Sequence, residues 1–374
     1  MGAVMDRRGL LLGALALTAT PAVAKPGRVR LALLGQALIE HALPEEQWPG
    51  RRAVARELAK ADLGFTNLET VVKGPRAGAP TREALTLHTA QPAVLDALKA
   101  MNIRLLATAN NHAFDLGSGG ILDTVDAIER AGLISAGSGA DLARAAAPAF
   151  ARTAGGSVAL VAFATGKVRE GGAATNSRPG VNELRRDSSG LPREQDAGRV
   201  LTAIAEARRR AEVVIAYQHN HDWEPNQADV PAWQRAFARR CVEVGASVFV
   251  GHGAPLLQGI EIHDGAPLFF GLGNFVFQTE KPPGAYAAEC WESVIVQASF
   301  ERGRCQAFEL TPIVMNEIGL GGSEDMATRG MPALASPTQA RAILDRVNAR
   351  SAGLGSTAFA VRGSRAVWTA PIKG

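Results

Sequence analysis

Residues 104–117 read Arg104-Leu105-Leu106-Ala107-Thr108-Ala109-Asn110-Asn111-His112-Ala113-Phe114-Asp115-Leu116-Gly117. The apolar run from Arg104 to Ala107 predicts a strand, and a polar turn leaves it. Helical periodicity from Ser118 to Ala131 follows, ended by Gly132. A strand, a polar turn and a helix in that order are the repeating unit of a parallel sheet covered by helices. The same order recurs on both sides. Val29 to Leu34 predicts a buried strand ahead of Gly35-Gln36, and Arg51 to Lys60 a helix. Leu63 to Thr66 predicts a short strand ahead of Asn67-Leu68-Glu69, and Pro92 to Ala100 a helix with proline at its start. Downstream, Val158 to Ala164, Val213 to Tyr217 and Ser247 to Val250 read as strands. Arg199 to Arg210 and Pro231 to Val244 read as helices. His263-Asp264-Gly265 between Ile260–Ile262 and Leu268–Gly271 is a hairpin signal. Residues 166–196, rich in Gly, Ser and Arg, read as one long loop beside the core. The fold class is α/β, with antiparallel structure added after about residue 250.

The chemically rich side chains share one address. Gln36, Glu69, Asn111, His112, His219, His221 and His252 each stand at or just after the end of a predicted strand. In α/β sheets, loops at the carboxyl ends of strands build the ligand site, so residues far apart in sequence converge on one cleft. One carboxylate, an amide oxygen and several imidazoles form a mixed N/O shell. That shell suits zinc, manganese or iron better than calcium. A cation held there polarises a phosphoryl or carbonyl oxygen and lowers the pKa of a bound water.

These residues also carry a resemblance. Asn67-Leu68-Glu69, residues 109–117, His219-Asn220-His221-Asp222-Trp223-Glu224, Gly251-His252-Gly253, Gln258-Gly259-Ile260-Glu261 and Gly271-Leu272-Gly273-Asn274-Phe275-Val276-Phe277 are similar, in order, to the motifs of the CapA family. That is the capsule, or poly-γ-glutamate, synthesis protein family. The likeness runs from about Val29 to Gln278. It implies a calcineurin-like metallophosphoesterase fold, in which two central mixed β-sheets are flanked by helices as a four-layer α/β/β/α sandwich. It also implies a role in making, anchoring or processing an extracellular anionic polymer. By this resemblance Glu69, Asn111, His219 and His252 hold a metal. His112 donates a proton to the leaving group, with Asp115 orienting its ring and raising its pKa.

The sequence departs from the family pattern at two places. The usual Gly-Asp after the first strand is Gly35-Gln36, and the second closing histidine falls about at Pro255. Both positions serve the same metal in two-metal relatives, so the expectation is one retained metal site and one degraded site. Gln36, His41 or His221 would rebuild part of the second, or they and Glu224 would touch substrate. Of the remaining histidines, His88 precedes a helix and reads as a surface or capping residue, and His263 as part of the hairpin. Arg185, Arg186 and Arg208 to Arg210 read equally as a solvated face or as contacts for an anionic polymer.

Composition sets the outer bounds. The 374 residues are 47% hydrophobic and 20% charged, which excludes a disordered or collagen-like chain and a polytopic membrane protein. A net charge of +4 comes from 40 basic and 36 acidic residues, too even a balance to argue for nucleic acid. Asp6-Arg7-Arg8-Gly9, the apolar run Leu10 to Ala19 and Ala22-Val23-Ala24 read as a secretory signal over residues 1–24, of the twin-arginine type. The expectation is export to the periplasm or cell envelope, with a metallophosphoesterase-like domain over 28–315 and a one-helix extension over 316–374. Of the three cysteines, Cys290 and Cys305 are able to pair, and Cys241 reads as a buried thiol in a helix. The favoured function is a metal-dependent hydrolase of phosphoester or related bonds. The rivals are a non-catalytic accessory protein that binds polymer or a membrane-bound synthase, and an amide hydrolase acting on γ-glutamyl polymer.

Overall fold

The computed structural model describes residues 27–371 apart from residue 45. The secretory signal expected over residues 1–24 lies outside the described residues. Two mixed sheets form the centre. In the nine-stranded sheet the order is Ala360–Arg362, Arg365–Thr369, Arg304–Met315, Glu292–Glu301, Val29–Leu33, Leu63–Asn67, Ile103–Ala107 and Ile134–Ala136, with Pro332–Leu334 beside Arg304–Met315. The last four of that order are mutually parallel, and the rest pair antiparallel. The second sheet runs Ile260–His263, Ala266–Phe269, Val248–His252, Val213–Asn220, Gly156–Thr165 and Ala149–Thr153, with its four middle strands parallel.

The strands are apolar on both faces because both faces are covered. Leu31, Leu33, Phe65 and Leu105 meet Leu160, Ile215, Tyr217 and Val250 in one cluster between the sheets. Helices Arg51–Leu58, Ala93–Ala100 and Gly117–Arg130 cover the outside of the first sheet through Val54, Leu95, Leu98 and Ile128. Helices Glu194–Arg210 and Ala232–Glu243 cover the outside of the second through Val200, Ile204 and Phe237. The result is the four-layer α/β/β/α sandwich. Truncating one of these core leucines to alanine costs about 2–5 kcal/mol, so the layers hold the strand ends firmly. After Met315 the chain adds three strands to the nine-stranded sheet and one long helix, Pro337–Ala352. Ser336 and Gln339 cap that helix reciprocally, and its Ile343, Leu344 and Val347 reach the inter-sheet core.

Several local expectations shift. The helix read from Arg199 starts at Glu194, and the long loop ends there. Glu194 and Asp196 place carboxylates in its first turn, where the helix dipole favours them. Asp196 also accepts from Arg185 and Arg199, so these two arginines are internally paired. The strand read to Tyr217 runs on to Asn220, and the one read to Val250 runs on to His252. Cys290 and Cys305 do not pair. Each is a buried free thiol, Cys290 in a small cluster with Phe277 and Trp291, and Cys305 in the inter-sheet core. The hairpin turn is as expected: Asp264 and Gly265 both take positive φ, 51° and 80°. Among the described residues no helix is long and apolar enough to cross a membrane.

Candidate functional site

A cleft of about 490 Å³ opens at the carboxyl ends of the parallel strands of both sheets. Gln36, Glu69, Asn111, His112 and His221 line it, together with His88, Arg82, Lys167 and Lys281. The nine-stranded sheet supplies Gln36, Glu69 and Asn111 from segments just past Leu33, Asn67 and Ala107. The six-stranded sheet supplies His219, within its Val213–Asn220 strand, and His221 just beyond it.

Glu69, His219 and His221 offer one ligand atom each within 4.8 Å of one another. They are the one group of three or more acidic, histidine or cysteine side chains so gathered among the described residues. His219 Nε2 lies 2.8 Å from Asn111 Oδ1 and 3.4 Å from Glu69 Oε1. Four expected residues, Glu69, Asn111, His219 and His221, therefore converge. Of these, His221 is expected at the second position or on substrate, and here it lies beside Glu69 and His219. His252 pairs in register with His219 on the neighbouring strand, and its ring packs against Tyr217 at 5.3 Å; it is not one of the three side chains gathered within 4.8 Å. His219 and His221, two apart along an extended chain, lie on the same side with rings 4.9 Å apart.

Among the described residues, five of the fourteen buried atoms without partners fall here. Glu69 Oε2 and both ring nitrogens of His221 and of His252 have no hydrogen bond. Native proteins satisfy buried polar atoms, so orphans clustered on a cleft floor mark a place for a guest. Burial and the neighbouring His219 push the His221 imidazole well below its usual pKa and that of His252 down to about 3. Burial would raise the Glu69 carboxyl, yet His219, aided by His112 and His88, holds the group below its usual value. Neutral imidazoles and an ionised carboxylate are the protonation states a metal ligand set requires. The donors present thus fit one divalent zinc, manganese or iron ion.

The second position differs. Gln36 Oε1 accepts from the Gly253 backbone N–H at 3.3 Å, so its amide oxygen is already engaged. Gly253 itself is required by crowding: its φ is +115°, and an added Cβ would lie 1.9 Å from the Asn220 carbonyl oxygen. Pro255 lines the cleft without offering a donor atom from its side chain. His41 is exposed and is not a cleft-lining residue, and neither is the exposed Glu224. His41 sits on a loop whose backbone N–H groups at 40 and 41 both donate to Gln278 Oε1.

His112 and Asp115 meet as expected, with Nδ1 2.9 Å from Asp115 Oδ2. Their balance is not as expected. Asp115 does favour the charged ring, but burial outweighs it and lowers the imidazole to about 4. Asp115 is fully buried and also accepts from Arg82 Nε and from the His88 backbone N–H. Arg82 donates further to the Asn111 carbonyl, which ties the dyad to the ligand loop. Sequence reasoning missed Arg82 and His88. His88 is buried, not a surface residue: its Nδ1 meets Glu40 Oε1 at 2.5 Å, and its ring lies 4.4 Å from that of His112.

The layered architecture and its polar floor are those of a calcineurin-like α/β sandwich carrying one mixed N/O ligand cluster. Residues 30–279 match the bacterial capsule synthesis protein family PGA_cap, and the chain belongs to that family. It is 28% identical to an uncharacterized protein of Sinorhizobium fredii, over 86% of this chain and 89% of that one. It is 31% identical to the PGA biosynthesis protein CapA of Bacillus subtilis, over 59% of this chain and 53% of that protein. A phosphatase structure from Mycoplasma pneumoniae aligns at a TM-score of 0.41 and 12% identity, covering 77% of this chain and 94% of that one.

Proposed function

We propose that this chain is an exported, metal-dependent hydrolase that cleaves phosphoester or related bonds while an extracellular anionic polymer is made, anchored or processed. The family places it with proteins of polymer synthesis. The observation that carries the chemistry is the Glu69, His219 and His221 cluster beside the His112–Asp115 pair on one cleft floor. Glu69, Asn111, His219 and His221 would hold the ion. When bound, it supplies Lewis-acid polarisation of the substrate and of a water. His112 lines the cleft, held by Asp115 at Nδ1, and its Nε2 would give a proton to the leaving oxygen. An anionic substrate favours the protonated ring, and the low intrinsic pKa makes that proton easily given up. Arg82 fixes Asp115, while Lys167 and Lys281 at the rim favour anionic groups. Export to the periplasm or envelope is supported by the basic, then apolar, then Ala-x-Ala pattern of residues 6–24.

A second reading has its own observation. Gln36, bonded to Gly253, stands where relatives usually have an aspartate, so half of the usual two-metal centre is replaced. A protein of that kind would bind polymer or a membrane-bound synthase without turnover. The deciding experiment is a panel assay with added manganese, zinc or iron on phosphomonoesters, phosphodiesters and γ-glutamyl peptides, run beside metal analysis. Phosphoester turnover with one metal per chain is expected. Cleavage of γ-glutamyl peptides alone would assign amide hydrolysis. No turnover with measurable polymer binding would assign the accessory role, and two tightly bound metals would remove the one-metal reading.

A further inference from the structure

His88 and Glu40 form a second carboxylate–imidazole pair on the cleft wall. Glu40 Oε1 takes Nδ1 of His88 at 2.5 Å, and both side chains are nearly buried, at 6% and 7% exposure. The His88 ring then lies 4.4 Å from His112, whose own Nδ1 is taken by Asp115. Both rings line the cleft, and among the described residues neither Nε2 has a protein hydrogen-bond partner. The backbone of His88 is also fixed, because its N–H donates to Asp115 Oδ2 at 3.0 Å. Asp115 Oδ2 therefore sets the position of both rings, holding His112 by its ring Nδ1 and His88 by its backbone N–H.

The proton count of the pair follows from burial. A lone buried negative charge is costly, whereas a net-neutral pair is not. In the uncharged pair in which the Glu40 hydroxyl donates to His88 Nδ1, the ring hydrogen sits on Nε2 and the cleft meets a donor. Burial also raises the Glu40 carboxyl above its usual pKa, against the pull of His88. Lys167, Lys281 and Arg82 add positive charge around the same cavity.

We infer that His88, oriented by Glu40, is a substrate-binding residue that donates from Nε2 to an oxygen of a tetrahedral oxyanion beside His112. This deepens the hydrolase reading, since it names a phosphoryl group as what the cleft holds, and it rests on that cleft being the functional site. A hydrogen bond to a charged group is worth roughly 1.5–3 kcal/mol, so its loss reads as about a tenfold to hundredfold weaker affinity. The test is calorimetric titration of inorganic phosphate into the full chain, with and without manganese, for wild type, His88→Phe and His88→Gln. Metal content and melting temperature are followed for each. His88→Phe keeps a planar ring without a donor and is expected to weaken phosphate binding at least tenfold. His88→Gln restores a terminal N–H and is expected to stay within about threefold of wild type. Unchanged binding in folded His88→Phe, equal weakening in both folded variants, or no binding by wild type would overturn the assignment. Phosphate binding that depends on His88 in a protein that hydrolyses no phosphoester would leave the assignment standing and remove the hydrolase reading.

Discussion

The two banks of the cleft are built on opposite terms. On the bank from the nine-stranded sheet, Asp115 and the Asn110 amide beside His112 are satisfied, although Asn67 Nδ2 is not. Asp115 accepts from Arg82, His112 and His88, and the Asn110 amide donates to Asn67 Oδ1 and the Leu68 carbonyl. On the bank from the six-stranded sheet, His221 and His252 keep all four ring nitrogens buried and unbonded. Glu69 stands between the two, with one oxygen near His219 and the other without a partner. The protein thus pre-sets the side chains around His112, and it leaves lone pairs free where a cation fits. Preorganised polar groups cost no rearrangement during reaction, whereas orphaned lone pairs are stabilised only by a guest.

The comparison breaks most visibly if the satisfied bank is not the reacting one. His112→Ala is expected to lower phosphoester turnover by about a hundredfold to ten-thousandfold, the range for a positioned acid–base group. Metal content should stay at the wild-type level, because His112 is not in the ligand cluster. Equal turnover in the variant would take His112 out of the mechanism. Loss of metal together with turnover would show that the two banks are not separable.

The orphaned bank is sharpened by setting His221 against His252. Both are buried imidazoles with free nitrogens, but only His221 lies within the cluster. His221→Ala is expected to weaken metal affinity by about a hundredfold, at least as much as losing an outer-shell partner costs. His252→Ala should change it by less than about tenfold. Manganese titration followed by calorimetry separates them. Equal losses would return His252 to the ligand set expected from sequence.

That pair also shows what was legible in the sequence and what was not. Strand ends were legible because buried parallel strands read as continuous apolar runs. The polar groups after them therefore fell on one cleft, and the His112–Asp115 contact followed from their spacing of three. Which histidine would gather with Glu69 and His219 was not legible. It depends on how far the strand from Val213 runs and how His252 packs on Tyr217, which are tertiary matters. His88 was missed because its partner Glu40 is 48 residues away and its own segment is only the edge of a two-residue strand, Thr89–Ala90. Arg82 likewise has no local pattern, and only the closed fold brings it to Asp115. His41 failed for the converse reason: proximity in sequence to Gln36 did not carry it to the floor.

The smallest expected effect comes from outside the cleft, where a carboxylate is satisfied for structure alone. Glu57 accepts from Arg365 Nη2 at 2.6 Å and from Lys60 Nζ at 2.6 Å, tying the first helix to the strand Arg365–Thr369. Burial would raise its pKa, but the bonds from Arg365 and Lys60 prevail and hold it below the usual value of 4.5. A carboxyl depressed in the folded state contributes stability that is fully present above its unfolded pKa. That contribution is lost as pH falls through the folded value. Glu57→Gln should therefore cost about 1–2 kcal/mol at neutral pH, discounted for the partly exposed partners. It should also flatten the loss of stability below about pH 4.5, where the wild type gives up the same contribution. Denaturant melts of both proteins from pH 7 to pH 3 read this directly, and metal and phosphate affinity should not move. A variant that loses metal as well would show that the tie supports the cleft floor, and the contrast between a structural carboxylate and the site's own would no longer hold.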